Sequence, residues 1–208
     1  MKELVLGCIP STMDGSEKVF GTSEMATIPE VFSYVDVLPE VLNQGNEQIC
    51  VPCTVSSYLN WKENLKDGVN KDNNISLYDI YKNRSNNGEG MTYKDAFKFL
   101  RKKGVNSDAG KLYISEYGLV MSSLMLKYAL IMNGPCFGAL PVFSDRDNFW
   151  VQYYGDRLLG YHAIAIVGYN ENGFIIRNSW GTSFGNNGYV VIPYEDINKM
   201  IEIWTIIS

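Results

Sequence analysis

The sequence is poor in the residues that build metal centres and disulfide scaffolds. It has one histidine, His162, and four cysteines, Cys8, Cys50, Cys53 and Cys136, in 208 residues. Four irregularly placed cysteines do not make a disulfide framework, and their use points to a reducing compartment. A structural zinc site would need all four thiolates, or three of them around His162. The gaps of 42 residues before the Cys50–Cys53 pair and 83 after it fit no common finger. No metal and no organic cofactor is therefore expected. Long apolar runs are missing too: nothing approaches the ~18–20 residues of a membrane span. The opening MKELVLGC has the look of a lipoprotein signal, but its apolar stretch is shorter than the 7–15 residues of a secretory h-region. It reads as a short N-terminal strand, with no export signal. Positive charge is also in short supply. Eighteen Lys and Arg stand against 23 Asp and Glu, for a net charge of -5. A nucleic-acid partner would call for a basic stripe. The single dense basic run, Lys98 to Lys103, lies in a helical pattern and reads as a solvated face.

What is present is an ordinary globular composition, 46% hydrophobic and 20% charged, with no repeats or low-complexity tracts. This length corresponds to one domain, here with two lobes, able to bury roughly 70% of its unfolded surface. Residues 9–43 read as extended arm and loop. A helix is expected from about Cys50 to Asn64, with Val51, Val55, Tyr58, Leu59 and Lys62 forming one inward stripe. Pro52 is tolerated because the first turn has no intrahelical use for its N–H. Residues 66–90 are polar and loop-rich. Further helices are expected at Thr92–Lys103, stopped by Gly104, and at about Ser122–Met132, stopped by Asn133-Gly134-Pro135. The period then changes. Cys136–Val142, Ala163–Tyr169, Phe174–Arg177, Tyr189–Ile192 and Ile201–Ile207 read as strands. Helices first and strands second predict an α+β protein of two packed lobes with a cleft between them. The expected division is an arm over 1–43, a mainly helical lobe over about 44–132 and a mainly β lobe over about 133–208.

Three segments carry chemistry: Asn43 to Cys50 leading into a helix, Tyr161-His162-Ala163 opening a strand, and Asn178-Ser179-Trp180-Gly181 closing one. A cysteine at a helix N-terminus feels the positive end of the macrodipole, which favours the nucleophilic thiolate. His162 is the single imidazole available as its base. An amide oxygen such as that of Asn178 could fix the tautomer and ring plane. The backbone N–H of Cys50 and the side-chain amide of Gln44 could donate to a developing oxyanion.

Taken in order and spacing, these segments resemble the papain-like cysteine peptidases, in particular compact bacterial and phage-encoded relatives. Gln44 stands six residues before Cys50. His162 opens a run ending in Val167-Gly168-Tyr169. Asn178-Ser179-Trp180-Gly181 follows sixteen residues after His162, and Gly185-Asn186-Asn187-Gly188-Tyr189 follows that. Asn87-Gly88-Glu89-Gly90 resembles the glycine-bearing loop that lines the non-primed side of the family's cleft. The likeness runs over about residues 39–195. It implies a two-lobed fold with a central nucleophile helix, and hydrolysis of peptide or isopeptide bonds through a thioester. Cys50 would be the nucleophile, His162 general base and later acid, Asn178 its orienter and Gln44 an oxyanion donor. Trp180 would shield the His162–Asn178 hydrogen bond and border the substrate. Gly90 would let a substrate backbone approach, with Met91 and Ala163 lining the pocket beyond.

The chain departs from the family around its nucleophile. Gln48-Ile49 stand where relatives carry small residues, Val51-Pro52 follow Cys50, and Tyr161 replaces the usual Asp or Asn. The disulfide cysteines are absent, and the 43 residues before Gln44 are too few for the helical prodomain of lysosomal members. These departures motivate an alternative, a catalytically silent papain-like structural or interaction protein such as a phage-particle component. A more remote one is a dithiol oxidoreductase, from the Cys50-Val51-Pro52-Cys53 pattern; a Cys50–Cys53 regulatory disulfide is a milder form of it. The expected partner is a protein or peptide substrate, with no nucleic acid and no membrane; virion or host proteins are further candidates. Asn-, Lys-, Tyr- and Ile-rich usage points to a low-GC bacterium or its phage, hence to the host cytoplasm or the virion. The sequence leaves open whether residues 1–35 fold back over the cleft.

Overall fold

In a computed structural model, described here for residues 4–22, 27–68 and 70–207, an extended N-terminal arm precedes a helical lobe and a β lobe. The arm region is followed by β1 (Phe32–Ser33) and a 3-10 turn at Val35–Val37. The helical lobe contains α1 (Cys50–Asp67), α2 (Leu77–Tyr81) and α3 (Tyr93–Lys102). A hairpin, β2 (Val105–Ser107) and β3 (Gly110–Leu112), leads to β4 (Glu116–Leu119) and α4 (Ser123–Asn133). Then come β5 (Cys136–Val142), β6 (Gly160–Asn170), β7 (Gly173–Arg177), β8 (Tyr189–Pro193), a 3-10 segment at Tyr194–Lys199 and β9 (Glu202–Ile207).

Local chemistry sets the helix ends. Thr92 Oγ1 accepts from the Asp95 N–H at 3.0 Å and Ser122 Oγ from the Met125 N–H at 3.2 Å, each satisfying one orphan donor of a first turn. Gly68, left-handed at φ 64°, closes α1. The β lobe is one antiparallel sheet in the order β4-β9-β5-β6-β7-β8, with β1 pairing on β6. β6 is the hub, eleven residues long and buried from His162 to Tyr169. Tyr93, fully buried on α3, donates its hydroxyl to the Gly138 carbonyl of β5 at 2.9 Å and so pins the helical lobe to the sheet.

Three sequence expectations need correction. The inward stripe on α1 is instead burial on every side from Cys50 to Asn60, because the helix is packed between β6 on one side and α2 and α3 on the other. Lys62 is half-buried and its ammonium donates outward to the Tyr113 carbonyl. The polar stretch 66–90 holds α2, and the mainly helical lobe also yields β2, β3 and β4, the last an edge of the large sheet. The N-terminal segment forms no strand over its described part. Cys8 makes single-residue bridges on both sides, parallel with Met91 and antiparallel with Tyr161. The basic run does lie on α3 and the turn after it, with Lys98, Arg101, Lys102 and Lys103 exposed.

Candidate active site

Cys50 is the first residue of α1, and its sulfur sits against β6 at the lobe interface. Its side chain is fully buried, which pushes the thiol up to about 11; the nearby backbone of Ala163, Gly7 and Val51 acts against that rise. Ala163 is the neighbour of His162 on β6, so nucleophile and imidazole are carried by packed, rigid elements. His162 Nε2 and Asn178 Oδ1 are 2.7 Å apart. Asn178 Oδ1 also accepts from the Ser179 N–H at 2.7 Å, and a backbone N–H can only donate, so this atom is the amide oxygen. The imidazole must therefore donate through Nε2–H, which leaves the Nδ1 lone pair free. Nδ1 is buried and has no hydrogen-bond partner. This is the atom a thiol proton could reach.

Trp180 stacks on the imidazole with ring centroids 4.3 Å apart and planes 24° apart. Phe149 meets His162 and Trp180 edge-on at 5.9 and 5.1 Å, and Phe184 meets Trp180 at 5.1 Å. This aromatic wall keeps water from the His162–Asn178 bond and makes the bond stronger. It also disfavours the cation: burial, acting against the Asn178 hydrogen bond, lowers the His162 pKa to about 4.

Gln44 is buried beside the Asn178 loop. Its N–H donates to the Ser179 carbonyl at 2.8 Å, and Ser179 Oγ donates to Gln44 Oε1 at 2.6 Å. With Oε1 committed, the Gln44 amide nitrogen faces the arm, donating to the carbonyls of Glu47 at 2.9 Å and Val5 at 3.0 Å. Sequence reasoning assigned no role to Ser179 and overlooked Phe149. Ser179 was in view inside the Asn178–Gly181 block; Phe149 lies in a loop with no pattern of its own.

The family model described as "Papain family cysteine protease" matches residues 47–205. The chain belongs to the papain family. Among its relatives, an uncharacterized peptidase C1-like protein of Acanthamoeba polyphaga mimivirus is 45% identical over 53 residues, 23% of this chain and 17% of that protein. Fruit bromelain of Ananas comosus is 32% identical over 123 residues, 51% of this chain and 33% of bromelain. The chain thus spans well under half the length of these curated relatives. Among solved structures, xylellain, a cysteine protease from Xylella fastidiosa, superimposes with a TM-score of 0.81 at 23% identity, over 97% of this chain and 95% of that one. The fold is papain-like.

The matched segment holds Cys50, His162 and Asn178 but begins after Gln44 and after the arm. The arm fills the cleft. From Val5, on the Gln44 amide, the backbone passes the start of α1, with Gly7 against the Gln48 backbone. It then runs between Tyr161 and Met91. Cys8 N–H donates to the Tyr161 carbonyl, Met91 N–H to the Gly7 carbonyl at 2.9 Å, and Ile9 N–H to the Met91 carbonyl at 3.0 Å. Gly90, at φ 81°, allows this approach, since a Cβ there would stand 3.1 Å from both the Gly7 carbonyl oxygen and Ile9 Cγ1. Ala163 and Met91 are fully buried with Cys8 in the same cluster as Cys50. Further on, Ser11 N–H donates at 3.1 Å to Glu202, a buried carboxylate of β9. A cavity of about 720 Å³ lies alongside the arm, lined by Leu4, Val5, Leu6, Gln48 and Phe143 among others, and neither Cys50 nor His162 borders it.

Among the described residues no cluster of three or more His, Cys, Asp or Glu is placed to hold a metal ion, and no helix is long and apolar enough to cross a membrane. All four cysteines are free.

Proposed function

We propose that the chain is a cysteine peptidase held in a latent state by its own N-terminal arm. The observation that carries the reading is the buried His162–Asn178 hydrogen bond, which leaves Nδ1 unpartnered at the strand against which the Cys50 sulfur rests. In the uncovered enzyme Cys50 is the nucleophile and His162 takes its proton at Nδ1. The thiolate attacks a substrate carbonyl carbon. The resulting oxyanion is met by the Cys50 N–H and the Gln44 amide, which Ser179 holds in place. His162 returns the proton to the leaving amine, a thioester remains, and water activated by His162 completes hydrolysis. Asn178 keeps the imidazole in its productive tautomer throughout. Substrates are protein or peptide chains laid across Gly90, Met91 and Ala163, with Trp180 at the other end of the cleft.

Two properties of the covered form support latency. Burial holds both partners neutral, the thiol up at about 11 and the imidazole down at about 4, so the reactive ion pair is absent. The arm also occupies the site: the Val5 carbonyl takes the Gln44 amide, the Gly7 carbonyl accepts from the Met91 N–H at 2.9 Å, and Cys50 and His162 are left fully buried. Free buried cysteines accord with a reducing compartment, as in the cytoplasm of a bacterial host.

The test is intact-mass analysis of reduced protein after exposure to an epoxysuccinyl peptide, beside Cys50→Ala and Cys53→Ala variants. One adduct that vanishes only in Cys50→Ala is expected, forming slowly because the arm must lift. If no adduct forms even after the arm is proteolytically removed, the silent structural reading replaces this one. If the adduct is lost only in Cys53→Ala, the nucleophile is misassigned.

A further inference from the structure

The arm delivers a second thiol to the nucleophile. Gly7 packs against the Gln48 backbone, two residues before Cys50, and Cys8, the next residue, lies about 3.8 Å along the chain, the fixed Cα spacing across a trans peptide. Gly7 has no side chain to stand between them. Cys8 is buried in the same cluster as Cys50, Met91, Tyr93 and Ala163, and its backbone bridges to Tyr161, the neighbour of His162, and to Met91. An arm needs no cysteine to fill a cleft, and a thiol is the one side chain that can bond covalently to what it covers. Cys53, three residues along α1, faces the other way, toward Leu42, Ser57, Arg177 and Ser179. Burial first, and then the charge of Cys50, raise the Cys8 thiol well above its ordinary value, and Cys50 acts on Cys53 in the same sense.

We infer that Cys8 and Cys50 form an oxidative modification site in which a hydroperoxide converts the removable arm into a covalent, reversible lock on the nucleophile. The inference rests on Cys50 being the reactive thiol proposed above. When the arm lifts, the Cys50 sulfur attacks one oxygen of the peroxide, giving a sulfenic acid and releasing water. When the arm returns, the Cys8 sulfur displaces the hydroxyl from the Cys50 sulfur, forming the S–S bond and a second water. In total, two thiols and one hydrogen peroxide give one disulfide and two waters. The product is protected twice: the nucleophile cannot cleave substrate, and it cannot be oxidised further to the irreversible sulfinic acid. A thiol reductant restores both cysteines.

The experiment treats the reduced full chain with dilute hydrogen peroxide, blocks free thiols, and maps tryptic peptides without reduction. The sequence places Cys8 in the peptide 3–18 and Cys50 with Cys53 in the peptide 19–62. The expected product is a 3–18/19–62 cross-link that survives in Cys53→Ser, is absent in Cys8→Ser and Cys50→Ala, and disappears on reduction as epoxysuccinyl labelling returns. In Cys8→Ser the same treatment should instead add two oxygens to Cys50 and abolish labelling permanently. A 19–62 peptide closed on itself through Cys50 and Cys53 overturns the inference, as does oxidised Cys50 with Cys8 still free. The cross-link is read without any turnover. A linked protein that, once reduced and freed of its arm, takes no label therefore removes the peptidase reading alone. A protein that labels but does not link removes this inference alone.

Discussion

Gly7→Ala should uncover the nucleophile without touching it. A Cβ at this position would lie 2.3 Å from the Gln48 carbonyl oxygen, 2.5 Å from its carbon and 2.7 Å from its Cα. All three atoms are backbone, at the foot of α1, so no side chain can rotate aside. Overpacking of this kind costs about 1–3 kcal/mol. The cost falls on the covered state alone, since a released arm meets nothing. At about 1.4 kcal/mol per factor of ten, the uncovered population should rise by about 5- to 150-fold. The assay is the rate of iodoacetamide labelling of each cysteine, read by peptide mass. Cys50 and Cys8 should both label faster by that factor, while Cys53, buried on the other side of α1, and Cys136, buried in β5, keep their slow rates as internal controls. Unchanged labelling of Cys50 with an unchanged melting temperature would refute the arm as its cover. A uniform rise at all four thiols would show general loosening instead of arm release.

Four further outcomes follow from the site. His162 is the only histidine, so its C2 proton is unambiguous by NMR; it should titrate near 4 in the intact protein and move toward 6.5 in Gly7→Ala. Because the folded pKa is depressed, the unfolded chain binds the extra proton between about pH 6.5 and 4, and stability should fall as pH drops through that window, by at most about 1.4 kcal/mol per unit. Ser179→Ala removes the donor to Gln44 Oε1 and frees the amide to turn. It should lower kcat about tenfold or more with little change in KM, at a stability cost of about 1 kcal/mol. Phe149→Ala opens the wall over the imidazole; it should destabilise by about 3–5 kcal/mol in a urea melt and raise the His162 pKa as water enters.

The sequence was most informative where chemistry demands particular residues at particular spacings. The Gln44–Cys50 separation, the His162 strand and the Asn178–Gly181 block are brought together at one place, and the strands from Cys136 onward fall close to their expected bounds because their apolar runs are bounded by glycine and asparagine. The elements that escaped are short or context-made. α2 sits in a polar stretch and has Ile80 as its one buried residue, β2 and β3 are three residues each, and β4 is four residues paired with the distant β9. The all-round burial of α1 could not be seen either, since Ser56, Ser57 and Asn60, which lie outside the expected stripe, are polar. They are satisfied internally: Ser56 and Ser57 donate to the Cys53 carbonyl, and Asn60 accepts from the Asn73 backbone and side chain. Hydrogen bonds that close tertiary loops leave no periodic trace.

The residues that set this chain apart from its family acquire a reason in the arm. Gln48, bulky where relatives are small, lies under the arm with its backbone against Gly7. The Gln48 side chain donates to Glu89 in the glycine-bearing loop. Tyr161, where relatives carry a small polar residue, offers its carbonyl to Cys8. Bulk beside a nucleophile would narrow a cleft built only for substrate, and taken alone it argues for a silent site. It argues differently in a cleft that must first hold its own chain. With the arm in place Cys50 and His162 are fully buried, and that exclusion of water keeps the pair neutral. The catalytic geometry and the departures from it are then parts of one design, a site complete in its hydrogen bonds and switched by whether water and substrate can enter.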